Sequence, residues 1–188
     1  MVTRAQTIPL SPDTSLRRCE DLLRATSAIA GYRDIRTFRE RFAEELQRFI
    51  AFDYVLVNII DAETQAVQWR MFHAPGKNDE IVLPAFEAHE TPTGLVYANQ
   101  KPIVIQDWER ETRYPRLREF LIRYHIRSSC VLPLTTAHSR VGVFATGISQ
   151  PHIYSAEEVR FLALVADHLA LAIDSALNHR ARLRAHAR

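Results

Sequence analysis

The feature that most limits what this chain can fold into is its last helix, which is apolar on every side. Ser155-Ala-Glu-Glu158 reads as a capping box, in which Ser155 and Glu158 satisfy each other's backbone N–H groups at a helix start. Beyond it, Val159, Leu162, Ala166, Leu169, Ile173, Ala176 and Leu183 recur in a heptad-like seam that Arg180 interrupts. Phe161, Leu164, Val165, Leu171 and Ala172 fill the rest of the circumference. A helix apolar all round is buried on more than one side. One face has to cover a sheet, and the other has to meet a second helix or a second subunit.

The elements before it are shorter. Ser11-Pro12-Asp13 is a helix start, followed by Leu16, Cys19, Leu22, Leu23, Thr26 and Ile29 at helical spacing and stopped at Gly31. A second helix begins at Asp34 and carries Ile35, Phe38, Phe42, Leu46, Phe49 and Ile50 on one stripe. Then the period changes. Tyr54–Ile60 is apolar on both faces apart from Asn58, which predicts a buried strand. Val67, Trp69 and Met71 alternate with other residues as in a hairpin partner. Strands are expected over 53–61, 66–73, 80–83, 102–106, 129–135 and 140–148. Short helices are expected over 94–100 and from Pro115, with Leu117, Phe120, Leu121 and Tyr124 on one face. The reading between Pro84 and Thr93 stays open. The order predicts an α+β fold: an antiparallel sheet of five or six strands flanked by N-terminal and C-terminal helices. Residues 1–10 form a lead-in, 11–178 a single domain, and 179–188 the basic end of the last helix.

Composition narrows the function classes. With 188 residues the chain has room for one domain with a core. A formal charge of +2 argues against a nucleic-acid surface. Arg180, Arg182, Arg184 and Arg188 form either a phosphate-binding strip or a solvated helix end, where cations are favoured. Cys19 and Cys130 have no CxxC or Cys/His spacing, the usage of a reduced cytoplasmic protein. The chain has neither a bilayer-spanning apolar run nor a stretch resembling a signal peptide. No membrane association and no metal or cofactor site are expected. His89-Glu90-Thr-Pro-Thr is not a zinc-binding HExxH helix, and neither a GxxxxGK[ST] phosphate loop nor a GxSxG elbow occurs.

Gly94-Leu-Val-Tyr-Ala-Asn-Gln-Lys-Pro102-Ile-Val-Ile-Gln-Asp107, Ser129-Cys-Val-Leu-Pro133-Leu134 and Val141-Gly142-Val143, closed by Pro151–Ser155 and the last helix, resemble a GAF domain. The likeness covers residues 16 to 178. More narrowly, Trp108-Glu-Arg-Glu-Thr-Arg-Tyr-Pro115 and Ser129–Thr136 are similar to the N-terminal GAF modules of formate-hydrogenlyase-activator-type, sigma-54-dependent regulators. The resemblance implies effector domains, an AAA+ ATPase and a helix-turn-helix DNA-binding domain, that are absent from this chain; the chain is then a fragment or a stand-alone relative.

The resemblance also implies a small-molecule site on the sheet face opposite the terminal helices. By position, Trp69, Phe72, Tyr97, Trp108 and Phe144 supply its apolar walls, and His89, Arg123 and His125 its polar groups; the aromatics serve equally well as core. Bilin-binding relatives place a cysteine where Arg118 stands here, and the Asn-Lys-x-Phe-x-Asp-Glu pattern of cyclic-nucleotide relatives is missing. Two separated cysteines match methionine-sulfoxide-reducing relatives poorly, and no catalytic residue is assigned. The expectation is a non-catalytic cytoplasmic sensor that relays ligand binding through its terminal helices. An interaction module with a filled core and a redox enzyme are the alternatives. A homodimer is expected through the terminal helices, its seam formed by Leu16, Leu23, Val159, Leu162, Leu169 and Ile173.

Overall fold

The structure, a computed structural model, describes residue 47, residues 52–61, 63–64, 67–73 and 84–186, with backbone alone for 67–73, 176 and 179–186. The strands are β1 (Tyr54–Ile60), β2 (Val67–His73), β3 (Ile103–Ile105), β4 (Ser128–Thr135) and β5 (Arg140–Ile148). The helices are a 3-10 turn (Ala88–Glu90), α1 (Pro92–Asn99), α2 (Pro115–Arg123) and α3 (Ala156–His186). The two helices expected between residues 11 and 50, with Leu16 and Leu23, and the strand expected at 80–83 lie outside the described residues.

The five strands form one sheet in the order β2-β1-β5-β4-β3, and every neighbouring pair is antiparallel. The α+β expectation holds, with five strands among the described residues. Register then sorts the side chains. Val57 pairs with Phe144, which pairs with Leu132, and these three share one face of the sheet. Asn58 pairs with Val143, and Val131 with Ala145, on the other.

The first face is closed by α3. The Ser155 N–H donates to Glu158 Oε2 at 2.7 Å and the Glu158 N–H to Ser155 Oγ at 3.1 Å, the reciprocal cap expected from the sequence. From there Leu162, Val165, Ala166, Leu169, Ala170 and Ile173 pack on Val55, Val57, Cys130, Leu132, Leu134 and Phe144 in one core. Removing each of the larger side chains from water is worth about 1.5–3 kcal/mol. This corrects the expected dimer seam. Leu162, Leu169 and Ile173 are buried within their own domain, and Val159 packs against the same cluster. The outward face instead shows Leu164 and Leu171, 46% and 56% exposed.

On the second face, α1 and α2 stand over the sheet. Thr91 caps α1 by accepting from the Gly94 N–H at 3.2 Å, and Pro92 occupies its first turn, so the helix starts earlier than the sequence suggested. Gly94 is required there: a Cβ would lie 1.9 Å from the Ala88 carbonyl oxygen. Helix α2 starts on Pro115 and ends in a Schellman motif. The Ile126 N–H reaches the Leu121 carbonyl, the His125 N–H reaches that of Ile122, and His125 takes a left-handed φ of 59°.

Candidate functional site

Where α1 and α2 stand off the sheet, they leave a cavity of about 250 Å3. Its floor is Tyr54, Leu56, Asn58 and Ile60 of β1, Ser129 and Val131 of β4, and Ala145 of β5. Phe86 and Ala88 form one wall, Leu117 and Leu121 of α2 another, and Thr91, Gly94 and Tyr97 of α1 a third. Trp108 closes the end beside Ser129.

The polar core of the site is a set of three neutral groups. The Trp108 indole N–H donates to Ser129 Oγ at 2.7 Å, and the Tyr54 hydroxyl lies 2.6 Å from the same oxygen. Burial pushes the Tyr54 phenol well above its ordinary pKa, and the hydrogen bond to Ser129 opposes this only in part, so the ring stays neutral at physiological pH. Gly147 makes room for it, because a Cβ there would stand 1.7 Å from the Tyr54 ring. The Trp108 backbone N–H bonds to the Arg127 carbonyl at 2.6 Å, while the Arg127 guanidinium holds Asp107 at 3.0 Å and Glu109 at 3.0 Å. The loop that carries the indole is therefore tied down on both sides of it.

The rim is charged although the interior is not. Arg116 of α2 reaches both carboxylate oxygens of Glu90, at 2.7 and 2.8 Å, and its guanidinium carbon lies 5.5 Å from the centre of the Phe86 ring. The Glu87 backbone N–H, and then Arg116, hold the Glu90 carboxyl below its ordinary pKa. Phe86 meets Phe120 edge to face at 6.5 Å. These contacts join the 3-10 segment to α2 beside the cavity.

Of the residues expected to bind a ligand, the structure brings Tyr97 and Trp108 to the cavity. Trp69 and Phe72 pair with Ile59 and Leu56 through the β1–β2 ladder, and their side chains lie outside the described residues. Phe144 is corrected: its ring is buried in the α3 core, on the far side of the sheet. His89 and His125 are corrected too, since both are exposed, His125 being the left-handed residue of the α2 cap. Arg123 is exposed and faces Glu119 at 3.7 Å on its own helix. None of these four lines the cavity. Chemistry alone suggested the charged groups; chain geometry put them in water.

Three floor residues went unnoticed in the sequence: Tyr54, Asn58 and Ser129. The signal for Asn58 was there, as the one polar residue in an otherwise apolar strand. Ser129 lies two positions from Val131 and so shares its face. Among the described residues no group of three or more His, Cys, Asp or Glu side chains is placed to hold a metal, and no helix is long and apolar enough to cross a membrane.

The GAF domain family matches residues 34–173. No curated protein matches the chain. The fold is similar to the GAF domain of a two-component sensor histidine kinase from Bacillus halodurans, with a TM-score of 0.64 at 17% identity over 79% of this chain and 99% of that one. It is similar to free methionine-R-sulfoxide reductase from Neisseria meningitidis, solved with its substrate, with a TM-score of 0.66 at 15% identity over 94% and 99%. The GAF domain of an Acinetobacter phosphoenolpyruvate-protein phosphotransferase gives a TM-score of 0.66 at 16% identity over 90% and 98%. At these identities the neighbours establish the fold and not a ligand. With the family matched across 140 consecutive positions and the same sheet-and-helix architecture, this chain belongs to the GAF domain family.

Proposed function

We propose that this domain is a non-catalytic regulatory sensor, cytoplasmic as its cysteine usage suggests, which holds a small molecule in the cavity and passes occupancy to α3. The observation that carries this reading is the cavity itself, floored by strands that also form the bed of α3. On β4, Ser129 and Val131 face the cavity while Cys130, Leu132 and Leu134 face the helix. A ligand that shifts β4 or β5 moves the surface on which α3 rests. It shifts the equilibrium only by its differential affinity for the two packings. Native mass spectrometry of the purified chain tests the reading, with a retained small molecule as the expected result. A chain that retains nothing and gains no thermal stability from any member of a metabolite library favours the interaction-module reading instead.

The enzyme alternative turns on a reactive thiol. Cys130 is fully buried beneath α3, and burial pushes its thiol up to about 12, so it stays protonated at neutral pH. Cys19 lies outside the described residues. We expect iodoacetamide to modify Cys130 only after unfolding, as read by peptide mapping; rapid native labelling would reopen a redox role.

We further propose a homodimer through the outward face of α3, centred on Leu164 and Leu171 rather than on the buried seam. Sedimentation of the wild type against Leu164→Glu/Leu171→Glu checks it, a dimer becoming a folded monomer. The likeness around 108–115 and 129–136 supports a place beside the AAA+ ATPase of a sigma-54-dependent regulator. Adding ligand-loaded chain should then alter ATP hydrolysis by such an ATPase.

A further inference from the structure

We infer that the cavity selects uncharged aromatic molecules bearing a hydrogen-bond acceptor, such as an aryl ketone or aryl amide, over the matching carboxylate or amine. The inference rests on the reading of the cavity as a ligand site and adds the chemical class. Three observations carry it.

Among the described residues that line the cavity there is no Lys, Arg, His, Asp or Glu. An ionised ligand buried among these described residues would lose its hydration without gaining from them a partner of opposite charge, a cost that hydrogen bonds from neutral groups do not return. The walls are of a kind that suits a flat ring: Phe86, Tyr97, Trp108, Leu117 and Leu121 present apolar and aromatic surface around a space fit for on the order of ten heavy atoms.

The floor supplies a donor. Trp108 can only donate, so Ser129 Oγ accepts from it at 2.7 Å. When the Tyr54 hydroxyl also donates to that oxygen, at 2.6 Å, Ser129 accepts twice and its own O–H is left to give. Ser129 borders the cavity floor with its side chain buried in the empty domain, so the proton is available only to a ligand acceptor seated directly on that floor. A carbonyl oxygen on an aromatic ring satisfies the donor and keeps the ring against Trp108.

The test is a ligand-observed NMR titration of the full chain with acetophenone, benzamide, toluene, benzoate and benzylamine at pH 7.5. Acetophenone and benzamide are expected to bind at least about tenfold tighter than benzoate or benzylamine. In Ser129→Ala the advantage of acetophenone over toluene should fall by about three- to tenfold, the scale of one hydrogen bond, with toluene itself unchanged. Ala145→Leu, which fills the floor, should abolish binding of all five probes while circular dichroism shows the fold intact.

Benzoate or benzylamine binding as tightly as acetophenone, and lost in Ala145→Leu, overturns the neutral class but leaves the sensor reading standing. If Arg70→Gln then removes benzoate binding, the missing charge comes from β2, where Arg70 pairs with Asn58. An unchanged acetophenone-to-toluene ratio in Ser129→Ala overturns the donor assignment. No binding by any probe to the wild type, alongside no retained molecule in native mass spectrometry, sinks the class and the sensor reading together.

Discussion

The two faces of this sheet are built from the same five strands and finished in opposite ways. On the α3 face, alternate positions of β1 and β4 are Val55, Val57, Cys130, Leu132 and Leu134, and the helix sets Leu162, Val165, Leu169 and Ile173 into them, with Thr146 of β5 a buried polar side chain paired to Val55 and Cys130. On the other face the intervening positions are Tyr54, Asn58 and Ser129, and the helices above them leave about 250 Å3 unfilled. Packing to interior density would have been the more stable solution on both. That one face forgoes it is what supports the proposed ligand site there.

The sharpest way to break this comparison is a pair of truncations. Leu169→Ala on the closed face should cost about 2–5 kcal/mol in urea denaturation, because the vacated space has no route to collapse. Leu121→Ala on the cavity wall should cost about 2 kcal/mol or less, since its side chain already borders empty space. Equal losses would mean that the cavity is not empty in solution.

The reverse substitution sharpens the same point. Ala166→Leu on the buried face of α3 should lose about 1–3 kcal/mol through overpacking. Ala145→Leu enters the cavity and should be neutral, or gain up to about 1 kcal/mol from buried methyl groups. A gain of similar size is expected at the α2 cap, on the open side. His125→Gly relieves a left-handed residue and should add about 0.5–1 kcal/mol to stability, read by thermal melting, with ligand binding unchanged.

The smallest effect lies at the closed face's helix start. Burial pushes the Glu158 carboxyl up, but hydrogen bonds from the Ser155 backbone and hydroxyl, and from His152 at 3.0 Å, together leave it below its ordinary pKa. A carboxyl whose folded pKa is depressed stabilises above its unfolded value, about 4.3, and loses that contribution as pH falls through the folded value. Wild type and Glu158→Gln should therefore differ in stability above about pH 5, and converge in acid. Convergence on raising the pH would reverse the sign and remove the cap from the account.

How much of this was readable in advance differs by element. The capping box, the all-apolar α3, the five described strands and the start of α2 on Pro115 follow from local spacing and capping chemistry, which the sequence writes directly; the Thr91–Pro92 start of α1 does not, because the reading of 84–93 stays open there. What failed was the choice between equivalent faces. Periodicity alone allows the seam of Leu162, Leu169 and Ile173 to face a partner, because an all-round apolar helix does not say which side its own sheet will take. Phe144 went to the wrong face for the same reason: only its register against Val57 and Leu132 fixes it. Chemistry alone favours the histidines and Arg123, whereas the polar groups lining the candidate site are neutral hydroxyl, amide and indole groups. A tyrosine and a serine in strands are unremarkable singly; they become a site only when the ladder sets Tyr54 beside Ser129.

One contact on the closed face has a mechanical consequence. At the β4–β5 turn, Ser139 Oγ donates to Asp174 Oδ1 at 2.9 Å and Thr136 Oγ1 to Oδ2 at 3.4 Å, hooking the hairpin to the helix. Helix α3 continues from Asp174 to His186, an arm of ~18 Å at 1.5 Å per residue. About such a fulcrum a tilt of about 10° carries the far end by ~3 Å, over half of one helical turn. Under the proposed relay, displacements at the hairpin too small to disturb the core would leave the domain as a shift of several ångströms in the backbone at the far end of the helix.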